Sequence, residues 1–194
     1  MTYPQLEVTT RAQWREWLSA NHAGSPGVWV VTWKKGSPDY LPMDEIVDEA
    51  LCFGWVDSLP RVLDERRSQR LLTPRKPRSN WSRVNKEKVE RLVAAGLMAP
   101  AGLAAVEVAK ANGSWTALDA TEELTEPEDL RAALDAVPEA RGHWDAFPRS
   151  VKRAILEWVG NAKTEATRSG RVSQTVAEAA QGRRANQWRQ PRKG

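Results

Sequence analysis

Gly27-Val28-Trp29-Val30-Val31-Thr32-Trp33-Lys34-Lys35 limits the fold more than any other stretch of the chain. Its β-branched and aromatic residues, packed into a short run, give the signature of a strand. Trp29, Val31 and Trp33 fall on one face, and Val28, Val30 and Thr32 on the other. Both faces are apolar or nearly so, which places the strand inside a sheet and not at its rim. The patterning around it is mostly helical, so a mixed architecture is expected.

Upstream, Thr10-Arg11-Ala12-Gln13 has capping-box spacing, and Trp14, Trp17 and Leu18 share a helical face that stops at Asn21-His22-Ala23-Gly24-Ser25-Pro26. Downstream, Gly36-Ser37-Pro38-Asp39 is turn chemistry. Met43, Ile46, Val47, Ala50 and Leu51, with an acidic first turn, then describe an amphipathic helix ended by Gly54. Trp55-Val56-Asp57 reads as the start of a strand. Arg61 to Glu65 and Gln69 to Pro74 read as a hairpin turning at Arg66-Arg67-Ser68. The expected class is α+β, with a small antiparallel sheet of three to four strands packed against helices.

The chain's chemistry concentrates in Gly54-Trp55-Val56-Asp57 and in Thr73-Pro74-Arg75-Lys76-Pro77-Arg78-Ser79-Asn80-Trp81-Ser82-Arg83-Val84-Asn85. Ser79, Asn80 and Ser82 carry side chains that accept from free backbone N–H groups, so a helix is expected to begin there. It runs from Val84 to Ala95, with Val84, Val89, Leu92 and Val93 apolar and Gly96 as its stop. Its positive end meets Arg75, Lys76, Arg78 and Arg83, a setting that favours phosphate or carboxylate.

Trp55, Asp57, Arg75, Ser79, Trp81, Ser82 and Asn85 form the candidate set for a small anionic or polar ligand. The indoles supply flat contact area, Arg75 and the helix start hold the charge, and Asp57 orients Arg75 or accepts a ligand hydroxyl. The alternative needs no ligand. In it Ser79 or Ser82 is a cap, Trp81 is core, Asp57 partners a neighbouring Arg or a backbone N–H, and the bases are a solvated face.

Pro100 to Ala111 continues as an Ala-rich helix closed by Asn112-Gly113, after which Trp115 packs back on the α+β core. Asp119 to Thr125 reads as an acidic connector, and Thr125-Glu126-Pro127-Glu128 as a helix start with carboxylates at its positive end. Helical patterning then persists through Pro138 to Phe147, Pro148 to Ala162 and Lys163 to Gln181, with Val151, Ile155, Trp158 and Val159 on one stripe. Three segments are expected: an α+β domain over 1–118, a helical region over 119–182 and a basic mobile tail over 183–194.

Net charge is only +4, but it is unevenly spread. Arg61 to Arg91 holds eleven bases and four acids, Asp119 to Glu139 eight acids and one base, and Phe147 to Gly194 eleven bases and three acids. Two readings fit. A nucleic acid or other polyanion can lie on Arg66, Arg67 and Arg70 of the hairpin with Lys163, Arg168, Arg171, Arg183 and Arg184. Alternatively, the acidic segment pairs internally with basic partners.

Other chemistry has little material. Cys52 is the sole cysteine and sits in the apolar Ala50-Leu51-Cys52-Phe53 run, so it reads as a small core residue that forms no disulfide. His22 and His143 have no spacing partners, so no metal or cofactor site is expected. No nucleophile with a base, and no evident pair of carboxylates, marks an enzyme. The N-terminus has neither a basic start nor an apolar signal core, and no run approaches bilayer length. A cytoplasmic chain without membrane insertion is therefore expected.

Gly54-Trp55-Val56-Asp57, the Thr73 to Asn85 stretch, Gly96-Leu97-Met98-Ala99-Pro100-Ala101-Gly102 and Ala162-Lys163-Thr164-Glu165-Ala166-Thr167-Arg168 together resemble the bacterial YdeI/OmpD-associated family, sometimes labelled bacteriocin-protection proteins. The resemblance extends from about Val28 to about Gly182. It implies an α+β N-terminal part akin to YdhG-like domains and a helical C-terminal part. It also implies an envelope or bacteriocin-resistance association, and brings no catalytic residues.

Overall fold

A computed structural model describes residues 3–186, which divide after Ala117 into two compact units. The N-terminal unit is α+β and the C-terminal unit is helical.

The N-terminal unit is built on a four-stranded sheet of β1 (Gln5–Glu7), β2 (Val28–Trp33), β3 (Trp55–Val62) and β4 (Arg67–Pro74), in the order β1-β2-β4-β3. The Val28 to Trp33 run is an inner strand, as its two apolar faces require. β2 pairs antiparallel with β4, and β4 with β3, but β1 lies parallel to β2. A wholly antiparallel sheet therefore does not form. The three-residue β1 is too short to show alternation, and α1 (Arg11–Asn21) carries the chain back so that β2 runs alongside it.

The hairpin turns earlier than its sequence indicates, because the Asp64 carboxylate accepts from the backbone N–H groups of Arg66 (2.9 Å) and Arg67 (2.7 Å). That side chain makes the turn itself, and β4 begins at Arg67.

On one face of the sheet pack α1, α2 (Met43–Cys52), α3 (Arg83–Ala94) and α4 (Pro100–Ala111). Thr10 caps α1 with both halves of the capping box in place. Val28, Val30 and Leu72 from the sheet join Trp14, Leu18, Ile46, Leu51, Trp55, Trp81 and Leu92 in one core.

Two adjacent carboxylates on α2 tie the helices together. Glu49 accepts from Arg11 and, at 2.6 Å, from Arg15 on α1. Asp48 accepts from Lys88 (2.9 Å) and Arg91 (2.8 Å) on α3. Burial alone would raise the Asp48 carboxyl, but hydrogen bonds from Arg91 and Lys88 outweigh it and hold its pKa below the ordinary value. A depressed folded pKa gives stability that is present above the unfolded carboxyl value and lost as pH falls through the folded one. Resistance to urea should therefore fall below about pH 4, and Asp48→Asn should flatten that acid slope. An unchanged slope in the variant would assign it to other carboxylates.

The C-terminal unit comprises α5 (Asp119–Glu122), α6 (Glu128–Asp135), α7 (Pro138–Ala146), α8 (Arg149–Gly160) and α9 (Glu165–Ala180). The supposed acidic connector thus contains a helical turn. α9 packs against α6, α7 and α8, and Leu130, Leu134, Trp144, Ile155, Leu156, Val159 and Val172 fill the centre. Among the described residues no helix is long and apolar enough to cross a membrane.

Candidate functional site

The chain leaves β4 at Pro74, and the Arg75 N–H donates to the Gly54 carbonyl at 3.0 Å, which fixes where the Arg75 side chain starts. A turn follows, closed by the Ser79 N–H on the Lys76 carbonyl. Asn112 Nδ2 holds the Pro77 carbonyl at 2.7 Å, and the Trp81 N–H donates to the Ser114 carbonyl. Trp81 is thereby pinned in the core, 1% exposed and tilted against Trp115 with centroids 5.1 Å apart.

Arg75 lies on the Trp81 ring, its Cζ 3.8 Å from the centroid, and its Nη1 donates to the Asn80 carbonyl. Its Nε is buried and has no partner. Burial pushes the Arg75 pKa down to about 10 against the opposing pull of Asp57, so the group remains a cation at neutral pH. Beside it opens a cavity of about 170 Å³. Arg75, Lys76, Pro77 and Trp81 line one side, and Ala104, Ala105 and Val108 of α4 the other.

Of the seven candidate ligand residues, Arg75 and Trp81 reach this cavity and the others lie elsewhere. Trp55 is core, its Nε1 donating to the His22 carbonyl and its ring edge-on to Trp17. Asp57 accepts from Arg70 Nη1 at 2.5 Å and acts on Arg75 only through its charge. Ser79 is in the turn. Ser82 caps α3 by accepting from the Asn85 N–H at 3.4 Å. The α4 wall was not singled out by the sequence; its signal was the run of small residues, which leaves room where larger side chains would fill it.

The polyanion candidates are largely engaged within the chain. Arg66 stacks over Trp33, Arg67 binds Glu7 and Asp64, and Arg70 binds Asp57. Arg168 grips Asp129 with two bonds, Arg171 donates to the Trp158 carbonyl, and Arg183 pairs with Glu178. Arg141 likewise holds Glu126 and Asp135. Internal pairing of the acidic segment is therefore present. Lys163 and Arg184 are exposed, while residues 187–194 of the expected tail lie outside the described residues. Among the described residues, no cluster of three or more His, Cys, Asp or Glu side chains is arranged to hold a metal ion.

Residues 6–105, just over half of the 194, match the family model described as "Domain of unknown function (DUF8412)". The chain belongs to the DUF8412 family. This DUF8412 protein also matches, over residues 123–182, the model described as "Bacteriocin-protection, YdeI or OmpD-Associated". Of the motifs that carry the YdeI/OmpD resemblance, Ala162 to Arg168 lies inside that second match, whereas Gly54 to Asp57 and Thr73 to Asn85 lie in the DUF8412 part. No curated protein and no solved structure matches the chain.

Proposed function

We propose that the protein is a non-enzymatic binder of small anions, taking a carboxylate or phosphate in the Arg75–Trp81 cavity of its N-terminal unit. The observation that carries this reading is the Arg75 guanidinium itself. It is desolvated, bonded to one carbonyl, without a hydrogen-bonded carboxylate, and open to a cavity that also receives Lys76. A buried cation without a hydrogen-bonded counter-ion gains more from an arriving anion than a solvated one does. The indole face beneath it fixes the plane of the fork, and the α4 wall limits the guest to a few heavy atoms. The description of the family model matched by residues 123–182 supports bacteriocin protection as the setting in which such binding would be used.

Titration with acetate and with inorganic phosphate, followed by tryptophan fluorescence, tests this. Saturable binding is expected in the wild type, with a loss of about tenfold or more in Arg75→Gln, the size of one charge-assisted hydrogen bond. Equal responses from both proteins would exclude the cavity. The intrachain pairing of the hairpin and α9 arginines speaks against the polyanion reading, for which steeply salt-dependent retention on heparin would be required.

A further inference from the structure

We propose a second anion site, separate from the Arg75 cavity, where β2 and β4 reach the start of α2, with the chemistry to hold a phosphomonoester. The β2–β4 register sets Thr32 opposite Ser68 on the helix-covered face of the sheet, and their hydroxyls lie 3.5 Å apart. Thr32 is 3% exposed, so this hydroxyl is held out of bulk water with one long contact. Arg70, the next residue of β4 on that face, sends Nη1 to Asp57, while its Nε is buried and unpartnered. These three groups share a hollow of about 330 Å³ with Lys35, Tyr40 and Met43. Met43 opens α2, and Pro42 before it offers no side-chain cap to the helix's first N–H groups.

The charge balance favours an anion. The charged residues that line the hollow are Lys34, Lys35 and Arg70, with no carboxylate among the described lining residues. Of the acids close by in the chain, Asp57 is held by Arg70 and Asp44 by Lys88, while Asp39, before Tyr40, and Glu45, in the first turn of α2, stand outside the lining. The Arg70 guanidinium, the Lys35 ammonium and two hydroxyls are the donors that a phosphate's oxygens accept from. A phosphomonoester enters a hollow of about 330 Å³ by its terminal group, whereas a diester must bring chain in on both sides of the phosphate. Tyr40, 39% exposed, stands at the rim where the organic part would lie.

The test uses the full chain with glycerol 3-phosphate as probe, glycerol and inorganic phosphate as comparisons, and ligand-observed NMR. Binding of the ester should survive in Arg75→Gln, be competed by inorganic phosphate, and be absent for glycerol. Ser68→Ala and Thr32→Val, which leave the Arg70–Asp57 pair in place, should each weaken it about tenfold, and Arg70→Gln should remove it. Full binding in Ser68→Ala and Thr32→Val, or no binding by the wild type, would overturn the proposal. Loss in Arg75→Gln would place the ester in the other cavity and equally overturn it. A single-stranded oligonucleotide that competes as well as the monoester would contradict the phosphomonoester assignment.

Discussion

Gly102→Ala is expected to destabilise the N-terminal unit by about 3 kcal/mol, at the upper end of what overpacking costs. A Cβ at this position of α4 would stand 2.2 Å from the Cys52 carbonyl oxygen and 2.7 Å from its carbon. Both are backbone atoms at the end of α2, so no side chain can rotate out of the way. The same carbonyl accepts the Ala99 N–H at 3.0 Å, which seats the start of α4 on α2. Relief requires α4 to move away, taking Ala104, Ala105 and Val108 with it, and the loss of anion binding should follow the loss of stability. Gly170→Ala provides the contrast. That glycine is inside α9 with open space around its Cβ position, and alanine there should stabilise by about 0.5–1 kcal/mol. Hydrogen exchange across α2 and α4 measures the first effect, and exchange across α9 the second. Gly102→Ala with native protection in α4 would show that α4 tolerates the Cβ.

Glu49→Ala is expected to cost about 3 kcal/mol, the lower part of the range for breaking a buried ion pair. The Glu49 side chain is 2% exposed and receives both Arg11 and Arg15, and Arg15 in turn reaches the Leu97 carbonyl at 2.8 Å. Removing the carboxylate leaves two cations facing a void and loosens α1, α2 and the segment after α3 together. The arginines are 34% and 36% exposed, so water recovers part of their hydration and keeps the cost from the top of the range. Glu49→Gln retains the volume and should cost less. Urea denaturation compares the three proteins, and an Ala variant within about 0.5 kcal/mol of wild type would contradict the clamp.

Local chemistry was legible where one side chain decides the outcome. The Thr10 and Gln13 pair gives the start of α1, Ser82 gives the start of α3, and the Val151, Ile155 and Val159 stripe gives the buried face of α8. What required the third dimension was pairing. β1 contributes three residues, of which Leu6 alone packs against the core, so no alternation could announce it. Asp48 and Glu49 look like solvent-facing acids of an amphipathic helix until α1 and α3 bring four bases to them. Asp57 takes Arg70 and not Arg75, because antiparallel pairing sets Asp57 opposite Leu72 and the strand irregularity before Pro60 brings Arg70 within reach. The nearness of Arg75 and Trp81 was legible, the two being close in sequence and separated by a turn. Trp55 did not join them, since Trp17 covers its ring.

The most direct test of anion binding at the cavity is the side-chain N–H spectrum of the ¹⁵N-arginine-labelled full chain during titration with inorganic phosphate. A desolvated guanidinium that gains an oxygen partner should give one Arg75 resonance that shifts saturably, is missing in Arg75→Lys, and moves apart from the surface arginines. An Arg75 resonance that stays fixed, or drifts linearly along with the surface arginines, would contradict the account.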